Sequence, residues 1–176
     1  MAQSCHFQAI ILFWNPSKIY LLNTLNYNMS EFSISSEDFK EGEEIPKKCG
    51  YKQHNIQPEI RIRNYPADTK CLALIMDDPD AMGAVGKVWV HWLYYTQQTE
   101  SSGLFDFLIS GRTDFGEIGY GGPAPPDKRH TYVFKAYALD TTLDLNEGYS
   151  KQELEDAMKG HIIAEAKLTG TYDSFI

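Results

Sequence analysis

Apolar and polar residues alternate with period two through Ile56-Gln57-Pro58-Glu59-Ile60-Arg61-Ile62-Arg63-Asn64. That is the pattern of a strand with one face toward a core and the other toward water. Tyr65-Pro66-Ala67-Asp68 has the composition of a turn. Cys71-Leu72-Ala73-Leu74-Ile75-Met76 is then an unbroken apolar run of strand length, as burial on both faces requires, and it ends at Asp77-Asp78. A third strand is expected over 87–96, where Val88-Trp89-Val90-His91-Trp92-Leu93-Tyr94-Tyr95-Thr96 is rich in aromatic and β-branched types. A polar, glycine-rich stretch runs on to about residue 129, too long for a tight hairpin. Thr131 to Leu139 reads as a fourth strand before a turn at Asp140-Thr141.

One helix is signalled near the C-terminus. Ser150-Lys151-Gln152-Glu153 is a capping box, in which the serine and glutamate side chains satisfy two amide donors that a helix start leaves unpaired. Leu154, Met158, Ile162 and Ala166 follow at every fourth residue, an apolar stripe that predicts a helix passing through the weak point at Gly160 and stopping at Gly170. Strands dominate and no βαβ alternation or internal repeat is present, so the expected class is mainly β with few helices.

The chain has 176 residues, a formal net charge of −8 and 43% hydrophobic residues, which fits one globular domain with a substantial core. That charge argues against broad nucleic-acid binding and against adsorption to an anionic membrane surface. No stretch reaches the roughly 20 apolar residues that a spanning helix needs. Residues 1–28 hold Ile10-Ile11-Leu12-Phe13-Trp14, interrupted at Asn15 and Pro16, with no basic leader and no small-residue cleavage site. They are expected to form an extension outside a core domain spanning 29–176. Cys5, Cys49 and Cys71 are odd in number and lack CxxC spacing, which points to free thiols in a reducing compartment, hence the cytoplasm.

Two segments carry chemistry. Asp77-Asp78-Pro79-Asp80-Ala81 leads to His91-Trp92, and Gly119-Tyr120-Gly121-Gly122-Pro123-Ala124-Pro125-Pro126 leads to His130-Thr131-Tyr132. In a strand, residues i and i+2 share a face, so Trp89 and His91 are expected to point one way, Val90 and Trp92 the other, and His130 and Tyr132 together. If the third and fourth strands lie near each other, two imidazoles and a phenol line one pocket beside Asp78 and Asp80. Each element has a plainer reading: a packed histidine, a turn capped by aspartate, a stiff surface loop. The glycine run lacks the sequence of a phosphate-binding P-loop or a dinucleotide fold.

Taken in order, five motifs resemble the phosphatidylethanolamine-binding protein family, and in particular its prokaryotic Raf kinase inhibitor-like branch. They are Asn55-Ile56-Gln57-Pro58, Asp77-Asp78-Pro79-Asp80-Ala81, His91-Trp92, Gly122-Pro123-Ala124-Pro125-Pro126 and His130-Thr131-Tyr132. Tyr137-Ala138-Leu139-Asp140 and Leu168-Thr169-Gly170-Thr171-Tyr172 fit the same branch, and the resemblance covers roughly residues 30–175.

The resemblance implies a β-sandwich-like fold on a large central sheet, with a small anion pocket. Asp78, His91, His130 and Tyr132 would form that pocket, supported by Asp80 and Pro126, and the Gly/Pro loop would offer backbone amides. It implies binding of a small phosphate-bearing or other anionic ligand and inhibition of a kinase or protease as a regulatory role; because no motif sets a serine or cysteine nucleophile beside a histidine, the binding is expected to be non-catalytic, with no cofactor. Physically, a carboxylate at such a site serves an anion only by holding a histidine in its charged form. Asp78 or Asp80 is expected to hold His91 or His130 in this way. The alternative is a metal-dependent phosphoester hydrolase that uses the same His/Asp cluster. Met82, His54 and Gln57 depart from the family's usual residues and bear on the pocket rim.

Overall fold

The computed structural model describes residues 31–98 and 105–174; the extension expected over 1–28 lies outside the described residues. Strand β1 (Ser33–Ser36) pairs with β2 (Ile60–Arg63) in a small antiparallel sheet. Strands β3 (Cys71–Asp78), β4 (Trp89–Gln98), β5 (Phe105–Ser110), β6 (His130–Leu139) and β7 (Ile162–Tyr172) form the main sheet, in the order β5-β4-β3-β6-β7. Every neighbouring pair in it is antiparallel. The helices are α1 (Ala81–Val85) and α2 (Lys151–Met158). The fold is mainly β, as expected.

The apolar run Cys71–Met76 takes the centre of the sheet, and all eight residues of β3 are buried. Leu74 and Met76 face a core closed by Ile34, Phe39 and Ile45, with Ile60 and Ile62 of β2 packed against it. Ala73 and Ile75 face a second core, closed by Leu143, Tyr149 and the α2 residues Leu154 and Met158. Truncating fully buried Leu154 to alanine would cost about 2–5 kcal/mol, the usual range for a core leucine.

The C-terminal helix is shorter than its apolar stripe predicts. The capping box forms, with the Glu153 amide donating to Ser150 Oγ and the Ser150 amide to Glu153. The helix nevertheless ends at Met158. Gly160, at φ +82°, turns the chain, and Ile162 and Ala166 belong to β7. Two more strands appear where none was expected, β1 and β5, the latter inside the stretch read as a long loop.

A second departure matters more for function. Met76 lies opposite Trp92 while Asp77 lies opposite Val90, so His91 is one residue too many on β4. Strict alternation would set Val90 and Trp92 on a common face. The bulge instead sends Trp92 into the first core and Val90 into the second. Where β5 ends, the 111–122 loop takes over the free edge of β4. Gly111 N–H donates to Leu93 O at 2.9 Å, Asp114 N–H to Val90 O at 3.0 Å and Gly121 N–H to His91 O at 2.8 Å. Val90 N–H in turn donates to Asp114 Oδ2 at 2.7 Å, so the bulge leaves these polar groups satisfied.

Candidate functional site

The bulge turns His91 toward a cavity of about 230 Å³ walled by Tyr51, Trp89, Phe115, Ala124 and Pro126, with Asp78 also on its surface and Lys52 at its edge. Phe115 organises the aromatic wall. It stacks on Tyr51 at 4.0 Å between ring centroids and meets Trp89 and His91 edge-on at 5.3 and 5.5 Å. Three aromatic walls and two deep polar groups suit a ligand with a compact polar head and an apolar part.

His91 is buried and its Nδ1 lies 2.7 Å from Gly121 O. A carbonyl can only accept, so Nδ1 carries the proton. Burial holds the imidazole below its ordinary pKa, and the Gly121 carbonyl and the charge of Asp78 oppose that only in part. His91 is therefore neutral at pH 7.

His130 is buried as well but differs in its partners and its charge. Its Nδ1 lies 2.8 Å from Asp78 Oδ2 and its Nε2 2.8 Å from Asp127 Oδ1. Two ionised carboxylates can only accept, so both ring nitrogens are donors and the ring is an imidazolium. Burial works against that charge, but the two carboxylates outweigh it and hold the pKa above its ordinary value. The Asp–His pair expected from sequence is thus Asp78 with His130. Asp78 Oδ1 also accepts the Ala81 amide at 3.1 Å, which fixes the carboxylate at the start of α1.

The remaining candidates divide. Tyr132 is fully buried, its ring 5.1 Å from that of His91, and its hydroxyl lies against the Asp78 carboxylate and the Ala124 backbone. Burial and then the charge of Asp78 drive its phenol far above the ordinary value. Asp80 is not on the cavity wall. Its carboxylate accepts the Thr131 amide at 2.7 Å and ties the 77–81 turn to the start of β6, which is the plainer reading of that motif. His91 and Tyr132 meet although β4 and β6 are not neighbours, because each flanks β3. Met82, His54 and Gln57 are exposed and none lines the cavity.

The first amides of the Gly/Pro loop are already committed to neighbouring segments. Gly121 N–H goes to His91 O, and Gly122 N–H donates to Asn55 Oδ1 at 2.8 Å. Asn55 Nδ2 reaches back to Tyr120 O at 3.2 Å, so one side chain clamps the loop from both sides. A side chain at 122 would strike Cys49 O at 1.9 Å, and only glycine fits there. Trp89, Phe115, Tyr51 and Asp127 were not singled out for the site from sequence. Among them only Trp89, two residues before His91, carried a signal. Among the described residues, no three His, Cys, Asp or Glu side chains converge to hold a metal ion.

Comparison with known proteins agrees with this fold. The phosphatidylethanolamine-binding protein family model matches residues 35–173. A UPF0098 protein of Chlamydia muridarum is 41% identical over 146 residues, covering 80% of this chain and 97% of its own. One from Methanothermobacter thermautotrophicus is 39% identical over 150 residues, covering 80% and 97%. The crystal structure of a phosphatidylethanolamine-binding protein homologue from Chlamydia trachomatis superposes with a TM-score of 0.74 at 39% identity, covering 82% of this chain and 99% of that one. That of E. coli YbcL, described as a member of the mammalian family, gives 0.70 at 28%, covering 84% and 100%.

Proposed function

Because the chain belongs to the phosphatidylethanolamine-binding protein family, we propose that it is a non-catalytic binder of a small ligand carrying a phosphate or another compact anionic group. The observation that carries this reading is the cavity itself: buried His91 and Asp78 sit deep in a cage of aromatic rings. An anion arriving at His91 stabilises the protonated ring, so binding takes up a proton. Affinity then falls as pH rises past the range in which the bound imidazole holds that proton.

Neither described cysteine is an activated nucleophile, which supports a binding role. Cys49 and Cys71 are buried, and burial pushes their thiols up to about 11 and about 12. Those buried free thiols also favour a reducing compartment such as the cytoplasm. Among the described residues, no helix is long and apolar enough to cross a membrane. A regulatory action on a kinase or protease would use the α1 rim, where Met82 and Val85 are exposed beside the cavity.

The test is a titration of O-phosphoethanolamine at pH 6, followed by histidine side-chain NMR and calorimetry. His91 resonances should move, and His91→Ala should weaken binding at least about tenfold while the protein stays folded. Unmoved histidines at millimolar ligand would refute the reading. If zinc alone moved His91, the metal-dependent phosphoesterase would take its place.

A further inference from the structure

Among the described residues His130 is the one fixed cation behind the cavity, yet no anion can reach it as the structure stands. Its ring has no exposed surface, and each nitrogen is taken by a carboxylate. The two carboxylates are not equivalent. Asp78 is almost wholly buried and held by both oxygens, one on His130 and one on the Ala81 amide. Asp127 stands in the loop before β6, its side chain half exposed, and reaches His130 from three residues away. Pro126, its immediate neighbour, is part of the cavity wall, as is Asp78 on the other side of the ring.

We propose that Asp127 is an internal competitor for the anion: its carboxylate occupies, on His130 Nε2, the place that a ligand's anionic oxygen takes. This rests on the anion-binding reading and adds a rule of selection to it. A monocarboxylate entering the site merely replaces a tethered carboxylate whose effective concentration is on the order of millimolar, and gains little. A phosphate monoester brings more charge and further acceptor oxygens to the same imidazolium, and displaces it. Asp127 thereby filters ligands by charge density. Asp80 takes no part, since it is committed to the Thr131 amide.

The experiment compares inorganic phosphate and acetate binding to the wild-type chain and to Asp127→Asn at pH 6. Side-chain resonances of His91, His130 and Asp127 are followed. Removing one negative charge next to the incoming anion should tighten phosphate binding about five- to tenfold, and acetate should become measurable in the variant. In the wild type, saturation with phosphate should move His130 and the Asp127 carboxyl carbon together with His91. Equal or weaker phosphate binding by Asp127→Asn would overturn the proposal. So would a saturated wild type in which His91 moves while His130 and Asp127 stay still; in both cases the anion-binding reading survives. If neither protein responds at His91, both fall.

Discussion

Asp77 and Asp78 are consecutive, equally buried, and serve opposite faces of one sheet. Asp77 Oδ2 receives Lys135 Nζ at 2.9 Å and Lys151 Nζ at 2.8 Å, from β6 and from the first turn of α2. Asp78 faces the cavity, and the cation it holds is an imidazole. The partners make the difference. Lysine stays charged across the physiological range, so the Asp77 cluster is a permanent tie that pins α2 to the sheet. A histidine can lose its proton, so the charge balance at Asp78 can change with pH or with a ligand. One carboxylate is spent on stability and its neighbour on a site, and the period-two geometry of a strand is what separates them.

The sharpest way to break this division is Asp77→Ala. Breaking a buried pair costs about 3–5 kcal/mol, but the two lysines are 36% and 23% exposed and can recover water, so about 2–3 kcal/mol is expected. Urea unfolding measures it. Phosphate affinity of the folded variant should match the wild type, and a large loss of affinity would show that the two aspartates are not separate.

Asp78→Asn should cost less, about 1–2 kcal/mol at pH 6, and should be the pH-dependent one. The asparagine oxygen can still accept the Ala81 amide, but its NH₂ then faces His130 Nδ1 and favours the neutral ring. The sign follows from the direction of the shift. His130 is held above its unfolded value, so its contribution is fully present below about pH 6.5 and is lost as pH rises through the folded pKa. His91 is held below its unfolded value, so its contribution is present above about pH 6.5 and is lost as pH falls through the folded pKa. The two partly cancel in the wild type. The stability gap between wild type and Asp78→Asn should therefore be widest near pH 6 and close toward alkaline pH; a gap that widens there contradicts the imidazolium.

Much of this was legible in the chain. The strands at 71–76, 87–96 and 131–139 were fixed by apolar content, and β3, β4 and β6 carry Asp78, His91, His130 and Tyr132. What stayed hidden has physical reasons. Residues four apart on a helix stripe are also even-numbered steps along a strand, so Ile162 and Ala166 fit both periods, and the positive φ at Gly160 decides between them. The bulge at His91 is a property of two paired strands and leaves no mark on either alone. Asp127 and Phe115 stand in loops, where no periodicity says which way a side chain turns. Asn55 appeared in a motif, but its clamp on Tyr120 and Gly122 joins segments more than sixty residues apart.

The smallest expected effect sharpens the comparison from the Asp77 side. Lys151→Met removes one of two ammonium groups and leaves Lys135 on the same oxygen. The methionine keeps an apolar stem of similar reach, and the lost pair with Glu155, at 3.7 Å and exposed, is worth little. About 1 kcal/mol or less should be lost, measured by urea unfolding. In an Asp77→Ala background the same change should cost nothing, because Lys151 then has no carboxylate at Asp77 to answer. If Lys151→Met alone costs as much as Asp77→Ala, the tie runs through α2 only and Lys135 adds nothing. Redundant cations make Asp77 tolerant of losing one, whereas among the described residues His130 is the single side-chain cation within hydrogen-bonding reach of Asp78. That redundancy is what a structural carboxylate can have and a ligand-responsive one cannot, since a second fixed cation at Asp78 would hold its charge balanced whatever His130 did.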